Sequence, residues 1–276
     1  MEQEAIPYLL GGRFYRLAFT SWGDPSLPPV VCVHGLSRNG RDFDALAEAL
    51  ADRYHVICPD LPGRGQSEWL AEAALYQPLS YVAALSHLLA HIGRPVRWVG
   101  TSLGGICGMM LAAAPGAPIE RMVLNDIGPF LPKAALARIA AYVGHIPEFD
   151  DLDALQAHLR RVHATFGQLS DAQWAHLARH SSRALADGRL SLHYDPAMTL
   201  PLLATPPADA DIWFLWEAIT APMLTIRGAE SDLLLPETFA RMGAKSTLYT
   251  VMDTGHAPAL MDAPTIKVIA GFLDRG

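Results

Sequence analysis

The stretch Arg97–Met110, RWVGTSLGGICGMM, decides how the rest of the chain is read. It passes from β-branched and aromatic residues straight into glycines, with a serine at position 102 between them. Gly100-Thr101-Ser102-Leu103-Gly104 is a G-x-S-x-G, and its flanks predict a strand before it and a helix after it. Side chains two positions either side of such a turn would collide with strand and helix, so glycine stands at both. The hydroxyl is then lifted above the sheet at the start of the next helix, where the helix dipole favours developing negative charge. An ordinary tight turn would fit the same five residues. The strand before, the helix after and Gly105 beyond favour an exposed nucleophile.

Outward from that turn, VVCVHG (30–35), YHVICPD (54–60), RMVLND (121–126), PMLTIRG (222–228) and TLYTV (247–251) are short, almost continuously apolar runs. Strands buried on both faces of a parallel sheet need that composition. Helical patterns lie between most of them. Phe43, Leu46, Ala47 and Leu50 share one face of 41–53; Leu79, Val82, Leu85, Leu89 and Ile92 share one face of 78–92. The alternation predicts a mostly parallel α/β sheet of about eight strands flanked by helices. An antiparallel hairpin, Tyr8–Leu10 with Phe14–Thr20, should feed its edge.

Between Pro129 and Ile219 the alternation stops. Helical patterns follow one another over 132–144, 150–166 and 170–186, the last opening on Ser170-Asp171-Ala172-Gln173, a capping-box pattern. A Pro-rich stretch runs from Pro196 to Pro207. The chain therefore divides into 1–128 and 219–276 as one core and 129–218 as a helical insertion without a sheet of its own.

A net charge of −7 argues against nucleic-acid binding, which needs clustered Lys and Arg. No stretch approaches the ~20 apolar residues that span a bilayer. The acidic start MEQEAIPYLL does not read as a secretory signal. Cys32, Cys58 and Cys107, odd in number and in apolar segments, read as buried thiols of a reducing compartment. Together these predict a cytoplasmic protein.

A serine nucleophile needs a base, and the base an orienting acid. His256, in a glycine-bearing loop past the last strand, is the candidate base. For the acid, Asp232 follows the strand at 223–226 and completes the order Ser102, Asp232, His256. Glu230 in the same loop and Asp126 at the end of the preceding strand are rivals. Backbone donors for an oxyanion are expected from Leu103 and from Leu36, with His34 bracing the latter's loop. His176 and His180 are spaced for a metal, but no third ligand stands beside them in sequence, so a solvated helix face is the expectation.

HGLSRNGRDF, PDLPGRGQSE, VGTSLGG, GAESDLLLP and TGHAPALMDAP, in that order, resemble the landmark segments of the α/β-hydrolase superfamily over nearly the whole chain. The resemblance implies the α/β-hydrolase fold, a cap formed by 129–218 after the sixth strand, and a hydrolase that needs neither metal nor organic cofactor. It implies a serine esterase acting on a small, largely apolar carboxylic ester. Lactone or C–C bond cleavage by the same residues, and a non-catalytic ligand-binding receptor, are the alternatives. Arg38 could bind a substrate carboxylate or pair with Asp42, Asp44 or Asp60. Trp213 and Trp216, three apart, could wall an acyl pocket, with Tyr142, Phe149 and Phe166 adding aromatic area. A homodimer is compatible with the sequence.

Overall fold

A computed structural model describes residues 1–143 and 147–275, with Tyr142 described in its backbone alone. Among these residues eight strands form one sheet: β1 (Glu2–Leu10), β2 (Arg13–Trp22), β3 (Pro29–Val33), β4 (His55–Pro59), β5 (Val96–Thr101), β6 (Ile119–Asn125), β7 (Met223–Gly228) and β8 (Ser246–Val251). Their order is β1-β2-β4-β3-β5-β6-β7-β8. Only β2 runs against the others. Val30 to Val33 are fully buried, as are Val96, Trp98 and Val99. Helices cover both faces, and that is why these strands read as unbroken apolar runs.

The edge hairpin is longer than its apolar pattern suggested, with Glu2 opposite Ser21 and Leu10 opposite Arg13. Its turn, Gly11-Gly12, holds both residues at positive φ, +57° and +79°, which suits a two-residue hairpin connection. The first residues of β1 are polar because that end of the edge strand is exposed.

Between the strands lie α1 (Asp44–Leu50), α2 (Pro78–Ile92) and α3 (Leu103–Ala112). The expected face of α1 is buried, with Phe43, Leu46, Ala47 and Leu50 all inside. The buried face of α2 is rotated from the expected one. Tyr81, Ala84, Leu85 and Leu88 point inward and Leu79 is exposed. The cause is Tyr81, whose hydroxyl accepts a hydrogen bond from buried Arg64 and fixes which side faces the core.

The segment between β6 and β7 carries α4 (Lys133–Val143), α5 (Leu152–Val162), α6 (Asp171–Ser181), α7 (Leu200–Ala204) and α8 (Trp213–Ala218). Gly144, the expected end of α4, lies outside the described residues. The Ser170–Gln173 capping box is present at the start of α6. Two features depart from expectation. Helix α6 stops at Ser181, five residues early, and 182–184 becomes a strand paired with Leu190–Leu192, which also pairs with Glu148–Phe149. The insertion thus has a small antiparallel sheet of its own. Its hairpin turns at Asp187-Gly188, where Gly188 takes a φ of +89° that no helix interior accommodates.

After β7 come α9 (Pro236–Met242) and, past β8, α10 (Ala263–Leu273). No described helix is long and apolar enough to cross a membrane. Cys32, Cys58 and Cys107 are free and buried. The carboxyl ends of β3, β5, β6 and β8 open beneath the insertion, where an open α/β sheet offers a binding crevice.

Candidate active site

Ser102 sits between β5 and α3 with φ +51° and ψ −113°, a strained backbone for a residue with a Cβ. The flanking glycines make that turn sterically feasible. A Cβ on Gly100 would stand 2.5 Å from the Gly104 carbonyl oxygen, and one on Gly104 would run into the Val33 carbonyl. The Ser102 amide donates to Asn125 O at 3.0 Å, tying the turn to the end of β6.

His256, in the loop after β8, brings Nε2 to 3.0 Å from Ser102 Oγ. Two segments far apart in sequence are therefore joined as expected. The acid is different. Nδ1 of His256 lies 2.7 Å from Asp126 Oδ2, not from Asp232. Asp126 leaves β6 in the left-handed region, φ +54°, and its carboxylate is fully buried. It also accepts from the Gly228 amide at 2.8 Å and from Ser231 Oγ at 2.6 Å.

Asp232 faces outward and is clamped by Arg138 of α4, with Nε at 2.5 Å and Nη2 at 2.8 Å. Partial burial pushes its carboxyl up, but the Arg138 hydrogen bonds and charge outweigh this and hold it below the usual range. Glu230 is exposed, with its amide bonded to Thr254 O. The reason for the substitution is topological: β6 lies beside β5, so its terminal residue drops directly behind the histidine. The β7 loop instead turns out toward α4.

Leu103 opens α3 and Leu36 follows β3; both line the cavity that holds Ser102. The first amides of a helix have no partner within it, so the Leu103 N–H is one of α3's orphan donors. The Leu36 loop is braced from two sides. His34 shares Nδ1 with Gly35 O at 2.7 Å, and its Nε2 accepts from the Leu61 amide at 2.9 Å. Fully buried Arg64 donates from Nε to Leu36 O at 2.9 Å and from Nη1 to Pro62 O at 2.7 Å.

Burial pushes the His34 ring down to about 3. It pushes His163 well below its ordinary value too, and raises Asp60 to about 6. The two rings take up protons in the unfolded chain near pH 6.5 but not in the folded one. Their stabilisation is complete above pH 6.5 and is lost as pH falls below it, at about 1.4 kcal/mol per group per pH unit. Asp60, protonated more readily when folded, has the opposite sign between its unfolded and folded values. These three groups together give a net loss of about 1.4 kcal/mol per pH unit below ~6, and His180, which burial pushes down to about 4, adds to it; urea midpoints across that range read the sum. A flat profile there would show that the rings are not shielded as described.

The cavity measures about 530 Å³ and is walled by Ile106, Ile127, Leu131, Ile139, Val162 and Phe166, among others. Arg38 reaches its wall, but its Nε and Nη2 are bound to Asp42 at 2.8 and 2.7 Å. Trp213 and Trp216 do not line it. Helix α8 packs against α3, burying Trp216, while Trp213 stacks on the Arg241 guanidinium at 3.5 Å. Phe166 does line it, Phe149 is buried within the insertion, and the Tyr142 side chain lies outside the described residues.

Several contributors carried no sequence signal. Neutral His163 stacks on Phe166 at 4.3 Å and faces the cavity. Thr165 accepts the Gly255 amide on its carbonyl at 2.8 Å and donates Oγ1 to His256 O at 3.0 Å, so the insertion grips the histidine loop. Asn125 donates to Thr101 Oγ1 and to Pro258 O, at 3.0 and 2.8 Å. His176 and His180 are not on a solvated face; both are partly buried, and Asp44 of α1 stands beside them.

Residues 30–270 match the sequence profile of a family described as the alpha/beta hydrolase family. A 3-hydroxybutyrate-oligomer hydrolase of Cupriavidus necator is 42% identical over 271 residues, spanning 94% of this chain and 92% of that protein. A putative hydrolase from Rickettsia typhi superposes with a TM-score of 0.93 at 30% identity, each chain covered fully. An alpha/beta hydrolase from Novosphingobium aromaticivorans superposes at 0.89 with 36% identity, covering 100% of this chain and 99% of the other.

Proposed function

The chain belongs to the alpha/beta hydrolase family, and on that premise we propose that it is a serine hydrolase of short carboxylic esters, esters of hydroxy-acid oligomers among them. The observation that carries this reading is the chain of contacts from Ser102 through His256 to Asp126, opening on an apolar cavity.

Ser102 Oγ–H donates to His256 Nε2 and attacks the ester carbonyl as the ring takes its proton. Asp126 holds Nδ1–H, fixes the tautomer and stabilises the imidazolium. The amides of Leu36 and Leu103 receive the oxyanion, each contributing on the order of 3 kcal/mol to the transition state. The imidazolium returns its proton to the departing alcohol, and water activated by His256 then releases the acid from Ser102. None of these steps draws on a metal or an organic cofactor. Residues 129–218 act as the cap that excludes bulk water and sets acyl size.

The substrate class rests on two supports. A cavity of about 530 Å³ falls within the ~300–1,000 Å³ of small-molecule sites, and its mainly aliphatic wall suits short branched acyl units. The Cupriavidus necator relative is named for 3-hydroxybutyrate oligomers. Arg38 would be the carboxylate fork for a C–C cleavage substrate bearing an acid group, and its Nε and Nη2 are already held by Asp42.

A fluorophosphonate probe followed by peptide mapping should label Ser102 and no other serine. Turnover of 3-hydroxybutyrate dimer and trimer should exceed that of long-chain acyl esters by at least about tenfold in kcat/KM, a difference of roughly 1.4 kcal/mol. Absence of label at Ser102 would sink the catalytic assignment, and a preference for long acyl chains would sink the substrate class.

A further inference from the structure

Away from the residues lining the ester cavity, α6 of the insertion meets the 3-10 turn Gly40–Phe43 that leads into α1 of the core. His176 and His180, four apart, fall on one face of α6. Their rings lie 4.5 Å apart at 57°. Asp44, the first residue of α1, points its carboxylate at them, with Oδ2 at 3.3 Å from His176 Nε2. One ligand atom from each of the three residues lies within 4.8 Å of the other two. We propose that Asp44, His176 and His180 form a site for a divalent transition metal that staples the insertion to the core.

The donor set decides the metal class. Two imidazoles and one carboxylate suit zinc, nickel, cobalt or copper and do not suit calcium or magnesium, which take all-oxygen shells. Bond lengths of about 2.0–2.2 Å put tetrahedral ligands roughly 3.4 Å apart. The His176–Asp44 pair already has that spacing, and a side-chain rotation of His180 closes the remainder. Water fills the remaining position.

Arg41 sets the geometry of capture. Its Nε reaches both Asp44 oxygens at 2.9 Å and its Nη2 reaches Oδ2 at 2.5 Å. A cation on Oδ2 leaves Arg41 bound through Oδ1, so the carboxylate bridges metal and guanidinium. His176 exchanges its contact with the Arg41 carbonyl, now 3.1 Å from Nε2, for the metal bond. The Asn39 side chain already donates to the His180 carbonyl at 2.8 Å, holding the end of α6 on the core. The site is therefore preassembled in backbone and needs only side-chain adjustment.

The test uses the full chain without a histidine tag. Calorimetric titration with zinc chloride should give one equivalent bound. H180Q and H176Q should each lower the affinity at least about tenfold, the equivalent of ~1.4 kcal/mol. At about 100-fold above the measured Kd, zinc should raise the melting temperature by roughly 5 °C in the wild type and not in the variants. Diethyl pyrocarbonate footprinting of the wild type is a readout that needs no variant: zinc should protect His176 and His180 while His87 stays reactive. No binding, binding unchanged in both variants, or unprotected His176 and His180 would each overturn the proposal. None of these readouts involves ester turnover, so they stand or fall apart from the esterase reading.

Discussion

Asp126→Asn lowers kcat about 10⁴-fold, while Asp232→Asn remains within about threefold of the wild type. The asymmetry follows from what each carboxylate touches. Asp126 is fully buried and receives the Nδ1–H of His256, the Ser231 hydroxyl and the Gly228 amide. An asparagine amide presents either one acceptor or two donors to that cluster, and the ring then turns over or takes the tautomer that cannot accept from Ser102. Asp232 is paired with a half-exposed arginine, and exposed ion pairs of this kind contribute about 0–1 kcal/mol. Steady-state rates on one short-chain ester, with circular dichroism to confirm folding, separate the two. A reversed order, with D232N inactive and D126N active, would show that the histidine works from a different loop position.

The nucleophile was legible because its signal is local. A strand, a serine caged by glycines and a helix are contiguous, and steric exclusion at Gly100 and Gly104 acts within five residues. The histidine was legible by chain order and by its glycine-bearing loop. The acid was not, because two strand ends each carry a suitable carboxylate. Which one lies behind the ring depends on sheet order and on the outward turn of the β7 loop, neither of which leaves a periodic trace. The tryptophans show the same limit in another form. A spacing of three sets Trp213 and Trp216 side by side on α8, with ring centroids 6.3 Å apart. It carried no information on whether α8 would turn that pair toward the cavity or toward α3. Likewise Asp44 completes a cluster with His176 and His180 because α6 folds back on the turn Gly40–Phe43 that ends at Asp44. The small sheet of the insertion was written in the sequence, at Asp187-Gly188, but a helical reading of the flanking residues ran through the turn.

Ser102→Gly abolishes turnover, by about 10⁴-fold or more, and stabilises the fold by about 1 kcal/mol. The loss of rate needs no argument beyond the missing oxygen. The gain in stability comes from the backbone. Ser102 is held at φ +51°, where a Cβ costs of order 1–3 kcal/mol and glycine costs nothing. Against that stands the extra freedom of glycine in the unfolded chain, about 0.4–1 kcal/mol, which leaves a net gain. The hydroxyl's own contact, at 3.0 Å to His256, is a partly exposed hydrogen bond and offsets little of it. Ser102→Ala separates the two effects: it removes the nucleophile equally well but keeps the Cβ, so its stability should match the wild type. The strain is thus the cost of presenting an oxygen above the sheet at the mouth of a helix, a position no relaxed backbone supplies. Urea midpoints of the three proteins at neutral pH measure it. A glycine variant less stable than the alanine variant by about 0.4–1 kcal/mol would mean that the turn holds no strain and that the serine is placed by side-chain contacts alone.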